Sequence, residues 1–173
     1  MSDGARSADR PPGGGLTHVR PDGTAQMVDV SAKAVTVRQA SAGGRVLLSA
    51  AAVDALRSGT VPKGDALAVA RIAAIQAAKR TPELIPLAHP VAVHAVTVDL
   101  EVADHGVDIA ATVRTADRTG IEMEALTAVC VGALALVDMV KAVDKHARIT
   151  DVRVTAKSGG RSGDWSETPQ ETS

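Results

Sequence analysis

The sequence predicts an α+β sandwich in which helices pack on one face of a mainly antiparallel sheet. Three observations carry that expectation. Two β-branched runs, His94 to Val102 and Val107 to Val113, are joined at Ala103-Asp104-His105-Gly106, which reads as a hairpin. Two long segments rich in alanine and aliphatic residues, Ala66 to about Lys79 and Ala125 to Val143, read as helices. Ile149-Thr150-Asp151-Val152-Arg153-Val154 alternates as a closing strand.

In chain order, residues 1–24 are rich in Gly, Pro, Ser, Asp and Arg and predict a flexible tail. A single folded domain is expected over residues 25–159, because neither a repeat nor a linker interrupts it, and a second tail over 160–173. Met27-Val28-Asp29-Val30 and Ala34-Val35-Thr36-Val37 alternate as an extended segment interrupted near Ser31. Ser49 is placed to cap a short helix over Ala50 to Arg57, ended by Ser58-Gly59, and Asp65 to cap the helix from Ala66. Pro82, Pro86 and Pro90 mark a connector where a helix cannot continue. In the second long helix Leu126, Val129, Cys130, Ala133, Leu134, Val137 and Val140 fall at helical spacing.

Composition excludes several classes of function. The net charge is −1 with both signs scattered, so the broad basic field of a nonspecific nucleic-acid binder is missing. An RNA-binding α+β module stacks bases on sheet aromatics, and this chain has no Phe, no Tyr and one Trp, Trp165. A core of Ala, Val, Leu and Ile lets helices approach closely but buries little area per residue, which favours oligomers. Cys130 stands alone, so a disulfide framework is not available, and a reducing cytoplasm fits. The apolar run Ala125 to Val137 has about 13 residues, short of the roughly 18 to 20 that span a bilayer, and the first 15 residues hold no hydrophobic segment. Neither a signal peptide nor a membrane anchor is expected.

Acids and lysines bracket that apolar run, and a charge set against a core is costly unless paired or used. On a helix, Asp138, Lys141 and Lys145 fall within about 60° of one another. Two readings fit: an i,i+3 surface ion pair, or an acid and a lysine poised for proton transfer with pKa values shifted by burial. Glu122 and Glu124 precede the run, and either could simply favour the helix dipole. Lys63 lies before Gly64-Asp65 at a helix start, suited to an anion but without the spacing of a Walker A loop. His89, in the rigid segment Leu84 to Pro90, is either a structural histidine or an acid, base or phosphate donor. His18, His94, His105 and His146 show no metal-ligand spacing, so no metal site is expected. Arg38 and Arg71 read by default as surface residues. Lys157-Ser158-Gly159-Gly160-Arg161-Ser162-Gly163 reads as an anion cradle or, preferably, a flexible tail.

Taken together, Met27-Val28-Asp29-Val30, Pro62-Lys63-Gly64-Asp65, Ala70-Arg71-Ile72-Ala73, Gln76-Ala77-Ala78-Lys79-Arg80-Thr81, Leu84 to Pro90, Gly120 to Ala128 and Asp138 to Lys145 resemble the cyclic pyranopterin monophosphate synthases, the molybdenum cofactor biosynthesis protein C family. The likeness runs in order over roughly residues 15 to 165. It implies a ferredoxin-like fold and a homohexamer, a trimer of dimers, with sites at subunit interfaces. It also implies a lyase that converts (8S)-3′,8-cyclo-7,8-dihydroguanosine 5′-triphosphate to cyclic pyranopterin monophosphate with release of pyrophosphate.

Carried across by motif, Asp138 and Lys141 match the family's acid/base pair and Lys63 its other essential lysine. Leu87, Ala88 and His89 match one substrate-contacting segment and Met123 and Glu124 another; Glu122 and Arg38 align with pocket residues. No cofactor is firmly implied, and Mg²⁺ accompanying the phosphates stays open. The chain departs from the family pattern at Ala88, where cysteine is common, and at Val137 and Val140 around Asp138; these changes bear on pocket packing. A catalytically silent nucleotide-binding scaffold of the same fold is the alternative from another class.

Overall fold

A computed structural model describes residues 20, 22–160 and 163–167. The elements run β1 (Thr36–Leu47), α1 (Ala50–Ser58), α2 (Ala66–Ala78), α3 (Thr81–Leu84), β2 (Ala95–Ala103), β3 (Gly106–Asp117), α4 (Glu122–Val140), β4 (Arg148–Ser158) and β5 (Trp165–Ser166). The sheet order is β2-β3-β1-β4-β5 and every pairing is antiparallel. Leaving aside α1, α3 and β5, the path β-α-β-β-α-β with β1 and β3 central is the ferredoxin-like arrangement.

Side chains on the sheet alternate as a one-sided sandwich requires. Along β1, Ala40, Ala42 and Val46 are buried, and along β3 Val107, Ile109, Ala111 and Val113 are buried beneath the helices. The opposite face carries polar side chains such as Ser41 and Thr112, whose hydroxyls hydrogen-bond each other at 2.8 Å. Between the helices, contact is made by the smallest residues. A Cβ on Gly132 of α4 would lie 3.1 Å from Ala74 Cβ and 3.4 Å from the Ala70 carbonyl of α2. An alanine-rich core therefore packs by proximity rather than by large side chains.

The capping signals operate as the sequence reads. Ser49 accepts a hydrogen bond from Ala52 N–H and Asp65 from Ala68 N–H, starting α1 and α2. Gly59 closes α1 in the left-handed region with φ 69°. Asp144 ties two loops together: its buried carboxylate accepts from Ser49 N–H at 2.6 Å and from His146 N–H at 2.8 Å. Those bonds hold its pKa below the ordinary value.

Elsewhere the structure corrects the reading. The alternation at Met27–Val30 and Ala34–Val37 forms no strand before Thr36, and Met27, Val35 and Val37 are exposed. The first strand instead occupies Thr36–Leu47, whose centre, Ala40-Ser41-Ala42-Gly43-Gly44, holds no β-branched residue to signal it. Its smallness is what the packing demands, since a Cβ on Gly44 would come within 2.8 Å of Val129 Cγ1. The proline connector contains a single helical turn, α3, tolerated because Pro82 sits in its first turn.

α4 spans Glu122–Val140 rather than Ala125–Val143, so Lys145 leaves the helix and no longer shares a face with Asp138. Its buried face is Ala125, Ala128, Val129, Ala133, Leu136, Met139 and Val140, whereas Cys130 and Leu134 are exposed. At 19 residues with mean hydropathy 1.9, α4 is also long and apolar enough to cross a membrane by length and composition, contrary to the run-length reading. It packs instead against β1, β3, β4 and α2, as the central helix of a folded core. The expected N-terminal tail lies largely outside the described residues; within it, Arg20 and Thr24 close a turn at 2.9 Å. In the expected C-terminal tail, Trp165 and Ser166 pair with Lys157 and Ala156, fastened by Arg153 and Glu167 at 2.7 Å.

Candidate active site

The motif-bearing residues gather at the two ends of α4. At its C-terminal end, Lys63 Nζ and Lys141 Nζ each lie 2.7 Å from a carboxylate oxygen of Asp138. Lys141 follows the last helical turn, three residues beyond Asp138, so the helix pitch brings that pair together. Lys63 arrives from the turn that Asp65 caps ahead of α2. Hydrogen bonds from Lys141 and then Lys63 pull the Asp138 carboxyl down to about 2. The shift comes from these partners and not from burial, because the Asp138 side chain is 54% exposed. For Asp138 this corrects the expectation of a pKa shifted by burial, and it agrees with the other reading of an exposed i,i+3 pair. What results is an ionised acid gripping two ammonium groups, a cluster of net charge +1 open to a polyanion.

The N-terminal end of α4 is built differently. Glu122 opens the helix and meets Lys157 Nζ at 3.2 Å. Glu124 is 2% exposed, and its carboxyl is pushed up to about 7, by burial first and by the nearby charge of Glu122 second. Met123 between them is exposed. Arg38, on β1, donates from Nε to the Asp117 carbonyl at the end of β3 at 3.0 Å. Arg38, Gly120, Glu122, Lys157 and Gly159 line a cavity of about 140 Å³.

The His89 segment belongs with this second end. Ala92 N–H donates to Asp117 Oδ2 and Thr115 Oγ1 donates to the Ala92 carbonyl, fixing the chain just after Pro90 against the end of β3. His89 Nε2 lies 2.6 Å from the Val28 carbonyl. A carbonyl only accepts, so Nε2 carries the proton and Nδ1 is the atom left for other chemistry. Leu87 is exposed beside it, and Ala88 N–H closes a turn onto Ile85 O.

The ten residues singled out from the sequence thus fall into two groups. Asp138, Lys141 and Lys63 converge at one end; at the other, Arg38 and Glu122 line one cavity while Met123 and Glu124 share the first helical turn but do not line it, and Leu87, Ala88 and His89 lie in the connector fixed against that end. From Glu122 to Asp138 is 16 residues of helix, about 24 Å at 1.5 Å per residue. One chain does not bring the groups together. The sequence reading offered the Lys157 stretch as an anion cradle but preferred a flexible tail, and it missed Asp117. The available signal for Lys157 was Glu122, an acid at the start of a buried helix that needed a cation. Among the described residues, no group of three or more His, Cys, Asp or Glu is arranged to hold a metal ion.

A ferredoxin-like subunit with a Lys-Asp-Lys cluster at one end of its central helix and an Arg-Glu-Lys pocket at the other defines a class of α+β protein suited to a phosphate-rich ligand. A model of the MoaC family matches residues 27–160, and the chain belongs to that family. It is 64% identical over 163 residues to a cyclic pyranopterin monophosphate synthase of Streptomyces coelicolor, covering 91% of this chain and 96% of that protein. A protein of the same name from a Nocardioides species is 64% identical over 154 residues, covering 87% and 94%. Cyclic pyranopterin monophosphate synthase 3 of Mycobacterium tuberculosis is 59% identical over 155 residues, covering 88% and 86%.

Proposed function

We infer that the protein is a cyclic pyranopterin monophosphate synthase, a lyase of molybdenum cofactor biosynthesis. The observation that carries the reading is the Asp138 carboxylate held at 2.7 Å by both Lys63 and Lys141. The reaction rearranges the ring system of a cyclised dihydro-GTP, closes a cyclic phosphate at the α-phosphorus and expels pyrophosphate. Developing charge on the departing oxygen calls for fixed ammonium donors, and ring opening and closure call for groups that pass protons. Lys63 and Lys141 are suited to donate. Asp138, ionised across the working pH range, holds both in register and accepts charge-assisted hydrogen bonds from them.

The remaining contacts follow from the other end of α4. Arg38, His89 and Lys157 suit the phosphate chain, while Glu122, Met123 and the buried Glu124 suit the ring system. Glu124, with its carboxyl near 7, can offer a proton as a hydrogen-bond donor at neutral pH. Mg²⁺, where it takes part, is proposed to come with the triphosphate.

We further propose that the working form is a homohexamer, a trimer of dimers, whose sites take one end of α4 from each of two subunits. The 24 Å between the two groups supports this, as does the apolar surface of Val69, Ile72, Met123 and Leu134 on α2 and α4. A cytoplasmic location is proposed with it, in keeping with a single free thiol, Cys130. Purified protein given the cyclised GTP intermediate should form the cyclic pterin and release one pyrophosphate per turnover. Tight binding without pyrophosphate release from an intact oligomer would make it a nucleotide-binding scaffold instead.

A further inference from the structure

We propose that Gly160 is a positioning residue whose missing side chain lets its backbone lie against Arg38 and fix the guanidinium for substrate. This rests on the reading of Arg38 as a substrate contact and adds a determinant outside the residues assigned above. Arg38 is held from one side by the Nε hydrogen bond to the Asp117 carbonyl at 3.0 Å. From the other side Gly160, two residues after β4, lies against it. A Cβ on Gly160 would overlap Arg38 Nη1 and lie 2.9 Å from Cζ, so the Gly160 backbone lies directly against the guanidinium. Gly159, the neighbour of Gly160, is itself pinned: its N–H donates to Asp164 Oδ1 at 2.9 Å, and Asp164 directly precedes β5, which pairs with β4. Lys157, on β4, lines the same cavity with Glu122.

Two contacts thereby fix a long side chain that would otherwise sample many rotamers. The guanidinium plane and its outward N–H groups are set before a phosphate arrives, so binding need not order them. A methyl group on Gly160 must displace the guanidinium, because its Cβ would sit inside van der Waals contact with Nη1 and Cζ, the movable end of the Arg38 side chain.

Gly163 supplies an internal control. Both glycines lie in the left-handed region, at φ 76° and φ 70°, so alanine at either meets similar backbone strain. A Cβ on Gly163 meets nothing within 4 Å. Any difference between the two variants therefore reports on Arg38 rather than on backbone strain.

The test compares Gly160→Ala, Gly163→Ala, Arg38→Ala and the Arg38→Ala/Gly160→Ala double variant as intact oligomers, by steady-state pyrophosphate release and by crystallography. Gly160→Ala should raise KM roughly tenfold with kcat within about twofold of the parent, the pattern of lost substrate binding. Gly163→Ala should leave KM unchanged. In the Arg38→Ala background, Gly160→Ala should add nothing further. The crystal structure of Gly160→Ala, which needs no turnover, should show Arg38 released from the Asp117 carbonyl. Equal KM effects at Gly160 and Gly163, multiplying effects in the double variant, or an undisturbed Arg38 in Gly160→Ala would each overturn the proposal. Arg38→Ala with parental KM would remove Arg38 from the substrate contacts, and this inference with it, while leaving the lyase assignment standing.

Discussion

Two carboxyl groups on one helix, Glu124 and Asp138, are driven in opposite directions by their surroundings. At the N-terminal end of α4, Glu124 is closed off from solvent and its carboxyl rises to about 7. At the C-terminal end, Asp138 stays half exposed and falls to about 2 because two lysines bond to it. The first is a group shaped by desolvation and sensitive to pH near neutrality; the second is shaped by partners and stays ionised. One end is built into the fold, and the other is attached to its surface. Changes at the two carboxyls should therefore differ, at Glu124 reaching stability and its pH response, at Asp138 and its lysines reaching turnover alone.

The largest effect is expected at the exposed end. Lys141→Ala or Lys63→Ala should lower pyrophosphate release by about three orders of magnitude or more, the scale of losing a fixed proton donor or charge stabiliser. Thermal stability and oligomer size should hardly change, since exposed ion pairs contribute little to folding. A Lys141→Ala variant that keeps its activity would leave the Lys-Asp-Lys cluster as a surface ion pair.

At the buried end the prediction concerns pH. The folded state raises the Glu124 pKa above the ordinary 4.5, so the native protein holds a proton that the unfolded chain has released. Stability should decline as pH rises from about 4.5 to 7 and level off above that. Glu124→Gln should remove the decline and stabilise the protein at pH 8 by an amount of order 3 kcal/mol, with little difference below pH 4.5. Denaturant melts of both proteins at pH 5 and pH 8 check the sign. A parent whose stability rises over that interval relative to the variant would mean that Glu124 is ionised and paired.

Gly44→Ala strikes the middle of α4 and should blur the contrast. The added methyl meets Val129 Cγ1 at 2.8 Å and Val152 Cγ2 at 3.1 Å, forcing the helix from the sheet. A loss of about 1 to 3 kcal/mol is expected from overpacking, measured by urea unfolding. Because both ends move with the helix, activity should fall as well. Gly43→Ala, whose Cβ meets Thr155 Cγ2 at 3.4 Å on the opposite face, should be milder.

Much of this contrast was legible in the amino-acid order, for unequal reasons. The β2–β3 hairpin was readable because β-branched runs flank a polar turn. Ser49 and Asp65 announced their helices because caps are local chemistry. β1 was not readable: Ala40, Ala42 and Gly44 are selected for the closeness of α4, a tertiary demand that leaves no periodic signal. The face of α4 was legible at Val129, Ala133 and Val140 but not at Cys130 and Leu134, since small residues such as Ala125 and Ala128 turn inward instead. At the site, Asp138 with Lys141 follows from helix pitch, whereas Lys63 pairs with Asp138 across 75 residues and no spacing rule reaches that far. Lys157 was legible only as one of two readings, because its glycine-rich neighbours look like tail until Gly160 is seen against Arg38.

The central claim is that the two ends of α4 work together only between subunits, and complementation tests it most directly. Glu122→Ala damages one end and Lys141→Ala the other, and each oligomer alone should be inactive. Co-expressed and purified as mixed hexamers, they should recover about a quarter of parental activity, because one site in four then receives both ends intact. Mixed hexamers as inactive as their parents would contradict the account and place the whole site within a single chain.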